Sequence, residues 1–236
     1  MSRIPFENLD ILLGRPVRLD LTALQEKLVG AGRGGYCFEH ATLFAAVLER
    51  LGFRPQLHSA RVVLINPRAA APRTHMFLTV ALEGETFVVD PGFGLLAPRA
   101  PIPLVDRPEA QAGHETHWMV RDGNDWVLRA RRGDAIVDAW VSTLEPDNPI
   151  DFEVANHYTA THPASAFVNR LMLRALIDGG YVSVMNRDVT VWREGKARSI
   201  RLVDRRALRA LLNEHFGFDL PEVEQLCVPM ISEWRS

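Results

Sequence analysis

The chain has 236 residues, 47% hydrophobic and 24% charged, an ordinary globular composition that excludes a disordered or collagen-like chain. That length allows one large domain or two to three smaller subdomains. Lys plus Arg number 27 and Asp plus Glu 29, a formal net charge of -2; with no basic block, the chain is a poor binder of nucleic acid or of a membrane surface.

The opening MSRIPFENLD has no apolar stretch of signal-peptide type. No apolar run approaches the roughly 20 residues of a membrane span. Asp20 followed by LTALQEKLVG predicts an N-cap and a helix with Leu21, Leu24 and Leu28 on one face, stopped by the glycines of AGRGG. A second helix is predicted from Cys37 to Arg50, with Leu43, Phe44, Val47, Leu48 and Leu51 at helical spacing and Gly52 at its end. The middle reads as strands: QLHSARVVLI, HMFLTVAL, TFVVD, HWMVRD, DWVLRA and IVDAWV, with EGET, DGND and RRGD as turns. This is an antiparallel unit of barrel or strongly curled type. Asp151 to Tyr158 reads as a short helix or a connection, and LMLRALI as strand or helix. YVSVMN, VTVWRE and RSIRLVD read as three strands. Asp204 then caps the helix RRALRALLNEHFG, with Leu208, Leu211, Leu212 and Phe216 on one face. The expectation is an α+β chain in three parts: residues 1–53, 54–150 and 151–236.

Only two cysteines occur, so no disulfide framework is built and a reducing, cytoplasmic compartment is expected. Cys227, in the apolar run LCVPM, reads as core. Cys37 follows Arg33-Gly34-Gly35 and opens a predicted helix, where unsatisfied N–H groups and the helix dipole stabilise a thiolate. The paired glycines permit a sharp turn and close approach of a substrate. The competing reading is a small buried hydrophobe. A thiol nucleophile needs a base, and the base an orienting group. Eight histidines compete: 40, 58, 75, 114, 117, 157, 162 and 215. His75 starts the strand HMFLTVAL and Asp90 ends TFVVD. If the two strands form a hairpin, Asp90 can accept the second imidazole N–H. His40, three residues after Cys37 on the same helix, is a rival base. A metal site from Cys37, Glu39 and His40 lacks a second ligand cluster at zinc spacing, so no metal is expected. His114 and His117 read as surface or strand-edge residues. Phosphate loops and dinucleotide glycine fingerprints are absent.

IPFENLD at 4–10, RGGYCFEH at 33–40, LGF at 51–53, THM at 74–76 and VDPGFG at 89–94 together resemble the arylamine N-acetyltransferase family. NHYTATHPASAFV at 156–168 and RRALRALLNEHFGFDLP at 205–221 extend the resemblance over nearly the whole chain. The resemblance implies a catalytic triad of Cys37, His75 and Asp90 on a cysteine-protease-like core. The expected fold is an N-terminal helical bundle, shortened here, a central antiparallel β-barrel and a C-terminal α/β lid. It implies acetyl-CoA as co-substrate with no tightly bound cofactor. The acceptor would be a small aromatic amine, hydrazine or N-hydroxyarylamine, in xenobiotic metabolism. Phe38 and Phe93 become candidates for the acceptor pocket. The resemblance assigns no residue to CoA, and Arg33 is expected to pair with Glu39 or Glu7 rather than with phosphate. His40-Ala41 stands where the family usually has a polar pair such as Gln-Asn, and Pro91 where it usually has Val. Two rival functions stand beside transfer to arylamines: another acyl transfer, such as amide synthesis, on the same scaffold, and a non-catalytic CoA-binding protein.

Overall fold

The computed structural model describes residues 3–108 and 116–235. His114 lies outside the described residues. In chain order the elements are β1 (Phe6–Glu7), α1 (Leu9–Leu12), α2 (Leu21–Leu24, widening into a π turn at Gln25–Gly30) and α3 (Cys37–Arg50). Then come β2 (Gln56–Val62), β3 (Arg73–Leu82), β4 (Glu85–Val89), β5 (Ile102–Pro103), β6 (His117–Asp122), β7 (Asp125–Arg132) and β8 (Ala135–Ser142). The remainder is α4 (Pro149–Thr161), α5 (Ala166–Asn169), β9 (Met172–Ile177), β10 (Gly180–Met185), β11 (Asp188–Arg193), β12 (Lys196–Arg201) and α6 (Arg205–Leu211). The α+β expectation holds. The ambiguous LMLRALI is strand β9, and the segment after residue 150 is a full helix, α4. No described helix is long and apolar enough to cross a membrane.

The chain divides into two compact units, residues 40–155 and residues 1–39 with 156–236. The 40–155 unit is a nearly closed antiparallel barrel of seven strands in the order β5-β4-β3-β2-β8-β7-β6. The Arg107 N–H donates to the Met119 carbonyl at 2.9 Å, tying the chain after β5 to β6 across the opening. Its tight turns carry the glycines that the sequence places there: Gly84 (φ 85°), Gly123 (φ 61°) and Gly133 (φ 61°). Inward residues form the core: Phe77, Val88, Met119, Leu128 and Trp140. Each large apolar side chain so buried contributes about 2 kcal/mol before entropy is charged against it. On α3 the burial differs from the expected stripe. Leu43 and Ala45 are buried, whereas Phe44, Val47 and Leu51 are exposed. Helical spacing identifies a face, but not whether a neighbour covers it.

The other unit holds a five-stranded antiparallel sheet in the order β1-β9-β10-β11-β12. Its first strand, at residues 6–7, has no signature in the sequence, because a two-residue strand carries no periodicity. Phe6 pairs with Arg174 and Glu7 with Leu173. Strands β9 and β10 alternate buried and half-buried residues, as one-sided strands do. The outer strand β12, KARSIR, is exposed throughout, and its charges discourage further pairing. Asp204 caps α6 by accepting the Ala207 N–H at 2.8 Å. Leu208, Leu211, Leu212 and Phe216 are all buried, and Gly217 ends the helix at φ 80°. Cys227 corrects the expectation of a core thiol. It is exposed, between buried Leu226 and Val228, because this segment alternates its sides.

Candidate active site

His75 and Asp90 meet within the barrel unit. Strand pairing explains how. Leu78 lies opposite Val89 in the β3–β4 hairpin, and one further step sets Asp90 opposite Phe77. His75, two residues before Phe77, shares that face. A β-bulge between β2 and β3 falls beside Ala60, the partner of His75, and such bulges re-aim side chains. The His75 Nε2–H donates to Asp90 Oδ2 at 2.8 Å, and both side chains are buried. A carboxylate only accepts, so Nε2 carries the proton and Nδ1 is the nitrogen able to act as base.

Three aromatic rings hold this pair. Phe93 meets the His75 ring edge-on at 4.8 Å between centroids. Phe77 lies parallel to the imidazole at 6.4 Å and stacks on Trp140 at 4.3 Å. The Trp140 indole N–H also donates to Asp90 Oδ2, at 2.9 Å. The other carboxylate oxygen, Oδ1, is buried with no hydrogen-bond partner among the described residues. Pro91 follows directly and has no N–H to offer it. The rival base, His40, turns its Nδ1 to the Pro91 carbonyl at 3.3 Å, and so braces the loop after Asp90.

Cys37 is buried and is the first residue of α3, as expected. The backbone before it is held by a buried charge cluster. Arg33 donates from Nε and Nη2 to Glu7 Oε1 at 3.0 and 2.6 Å, and reaches Asp10 Oδ1 at 3.1 Å. Of the two carboxylates expected for Arg33, Glu7 is its partner, and Asp10 takes the other place. Glu39 is served by Lys27 instead, whose ammonium lies 2.7 Å from both Glu39 Oε1 and Asp10 Oδ2. Glu39 Oε2 accepts the Tyr36 N–H at 3.0 Å. This is half of a capping box, with the third residue of the helix reaching back to the residue before the first.

Burial and the neighbouring charges set the electrostatics of Glu7, Asp10 and Glu39, with Lys27, Arg33 and, 3.6 Å from Asp10, the exposed Arg15 as cations. Burial pushes the Glu39 carboxyl up to about 7, although Lys27 pulls it down. Burial alone would lower Lys27; Glu7, Glu39 and Asp10 outweigh it and hold the ammonium above its ordinary value. Asp10 lies below its ordinary value, since Lys27 and Arg33 overcome its burial. Glu39, the most deeply buried of these carboxyls after Glu7, is thus held toward its protonated form, while Lys27 stays charged.

The glycines before Cys37 have a different reason from the expected turn. The positive-φ glycine is Gly32, at 62°. A Cβ on Gly34 would fall 2.6 Å from Glu7 Cγ and onto the Pro5 carbonyl, and one on Gly35 would fall 2.7 Å from Glu39 Oε2. Close approach of the chain to itself requires them. The Glu7 N–H donates to the Gly35 carbonyl (2.9 Å) and the Gly35 N–H to the Pro5 carbonyl (3.1 Å), joining the IPFENLD and RGGYC segments. Asn8 extends the ties. Its amide donates to the Phe167 and Arg170 carbonyls at 2.8 and 2.7 Å, and its oxygen accepts the Met172 N–H at 2.9 Å. Tyr36 donates its hydroxyl to Asn156 Oδ1, and burial raises that hydroxyl well above its ordinary value. Phe38 is fully buried, edge-on to Tyr36 at 5.4 Å.

The remaining histidines do other work. His58 is buried, bonded to Thr79 Oγ1 at 2.8 Å, and burial lowers it below its ordinary value, so it stays neutral. His117 donates to the Leu96 carbonyl at 2.8 Å from the start of β6. His157 and His162 are exposed, and His215 is half-buried. Sequence reasoning missed Lys27 and Trp140. A lone lysine on a helix shows nothing of its partners, whereas a tryptophan in a barrel strand signals that a buried N–H needs an acceptor.

The family model described as N-acetyltransferase matches residues 1–225. The arylamine N-acetyltransferase of Escherichia coli strain K12 is 39% identical over 223 residues, 94% of this chain and 79% of that one. The arylamine N-acetyltransferase / N-hydroxyarylamine O-acetyltransferase of Salmonella typhimurium is 36% identical over the same shares. The solved structure of Mycobacterium marinum arylamine N-acetyltransferase in complex with CoA aligns with a TM-score of 0.85 and 35% identity, over 93% of this chain and 83% of that one. With the paired His75 and Asp90 and the helix-opening Cys37 already in place, these likenesses make the chain a member of the arylamine N-acetyltransferase family of acetyltransferases.

Proposed function

We propose that the protein transfers an acetyl group from acetyl-CoA to an arylamine, hydrazine or N-hydroxyarylamine by a ping-pong route through acetyl-Cys37. The observation that carries the reading is the 2.8 Å bond from His75 Nε2 to Asp90 Oδ2, which leaves Nδ1 as base. In the first half-reaction His75 Nδ1 takes the proton of Cys37. Asp90 holds the tautomer and stabilises the imidazolium. The thiolate adds to the acetyl carbonyl, the C–S bond to CoA breaks, and the imidazolium proton goes to the departing CoA sulfur. In the second, the amine nitrogen attacks the acetyl-cysteine carbonyl, His75 accepts the amine proton, and the Cys37 sulfur leaves. An arylamine is uncharged and nucleophilic at neutral pH. Backbone N–H groups in the first turn of α3 are suited to the oxyanion. Phe93, against the imidazole edge, and Phe38, beside the nucleophile in sequence, are assigned to the acceptor pocket. The same reading gives residues 1–53 the nucleophile, 54–150 the base and its orienting group, and 151–236 the lid. A reducing, cytoplasmic compartment suits two thiols that form no disulfide.

The test is the intact mass of the purified chain after exposure to acetyl-CoA. One added acetyl group on the wild type, discharged by an arylamine and absent from Cys37→Ala, is the expected result. His75→Ala should lose nearly all transfer. Full turnover by His75→Ala would move the base role to His40. A folded wild type that binds CoA without acquiring an acetyl group would reject the mechanism.

A further inference from the structure

The geometry points to Trp140 as a positioning residue for acetyl transfer, its indole N–H sharing Asp90 Oδ2 with His75 and so fixing the carboxylate that orients the imidazole. The inference rests on the roles proposed above for His75 and Asp90. Both hydrogen bonds, 2.8 Å from His75 and 2.9 Å from Trp140, converge on one oxygen. A carboxylate turns readily about its terminal bond, in a broad and nearly two-fold well. With a single hydrogen bond to it, the Asp90 carboxylate is free to turn and exchange its oxygens. Oδ1 supplies no opposing restraint, because it has no hydrogen-bond partner among the described residues and Pro91 has no N–H.

The second donor is itself rigid. Trp140 is fully buried in β8, opposite Leu128 on one side and Val62 on the other. Its ring is pinned by the Phe77 stack at 4.3 Å and 26°. Phe77 in turn lies parallel to the His75 ring, at 13°. One indole thus sets the carboxylate by its N–H and stacks on Phe77, whose ring runs parallel to the imidazole. The N–H is also an uncharged donor to an anionic acceptor, the stronger kind of neutral–ion hydrogen bond.

The test uses the full chain and p-nitrophenyl acetate, following nitrophenolate release and Cys37 acetylation by intact mass in a single turnover. Trp140→Phe removes the N–H together with part of the indole's bulk and leaves an aromatic ring to face Phe77. It should lower the limiting acetylation rate about tenfold while the half-saturating donor concentration stays within twofold. In an Asp90→Asn background the same substitution should cost almost nothing further, since the restraint it removes no longer serves. A rate within twofold of wild type, or the same loss factor in both backgrounds, would overturn the inference and leave Trp140 as core packing. Failure of the wild type to acetylate Cys37, or an unimpaired His75→Gln, would reject the triad itself, and this inference with it. If Trp140→Phe does not fold, the indole N–H proton resonance of the wild type decides. It should lie downfield and move on Asp90→Asn; an unmoved resonance overturns the proposal.

Discussion

At the scale of single residues, absence of a side chain does as much as presence. Gly34 lies where the Pro5 carbonyl and Glu7 Cγ leave no room for a methyl group. Gly34→Ala should therefore push apart the IPFENLD and RGGYC segments, costing about 3 kcal/mol or more, because overpacking against backbone cannot be relieved by a rotamer change. Thermal melting of the variant checks this, and a melting point within a degree of wild type would contradict it. The pairing of His75 with Asp90 is legible in the amino-acid sequence, since a two-residue turn in EGET fixes which residues of the hairpin share a face. Which oxygen of Asp90 is used, and that a tryptophan from β8 also binds it, is not legible there. That depends on how β8 comes to neighbour β2, a contact of residues some 80 apart with no local signature. The two glycines are legible as a site of close approach, but the approaching group is the chain itself.

Among the elements, the N-terminus of α3 shows how charge and helix geometry act together. Glu39 caps the backbone before Cys37 from inside a cluster of buried carboxylates and cations. Its folded-state value of about 7 lies above the 4.5 of an unperturbed glutamate. Between those values the folded chain holds a proton that the unfolded chain has released, so the sign is negative: this group's contribution to stability falls as pH rises from about 4.5 to 7 and is level above. The difference in unfolding free energy between wild type and Glu39→Gln should decline across that window, by at most about 1.4 kcal/mol per pH unit. Denaturant titrations at half-unit pH steps measure it; a difference that rises with pH would refute the assignment. The start of α3 at Cys37 and its end at Arg50 are readable from the glycines on either side. The exposure of Phe44 and Val47 is not, because periodicity names a face without naming its cover. The caps at Asp20 and Asp204 are readable, being short-range hydrogen bonds to N–H groups three residues on.

For the molecule as a whole, the α+β class and the curled sheet are legible from alternating strands and their turns. The five-stranded sheet is only partly so, because its first strand comes from residues 6–7 and its second from residues 172–177. Polar ties of the same long range, such as Asn8 to Arg170 and Tyr36 to Asn156, join several of the scattered segments that carry the family resemblance. The charge cluster in this unit has a chemical consequence as well. The chain has just two lysines, Lys27 and Lys196, against a large number of arginines. Lys196 is exposed, while Lys27 is locked between Asp10 and Glu39 and held in its protonated, unreactive form. A protein handling activated acetyl groups thus offers a single accessible lysine to stray acylation, and guanidinium groups do not compete for it. Brief treatment with acetic anhydride should modify Lys196 at once and Lys27 only when its unit opens. The appearance of acetyl-Lys27 in a peptide map then becomes a residue-specific clock for unfolding of that unit, and its early modification in the native protein would show the cluster to be open.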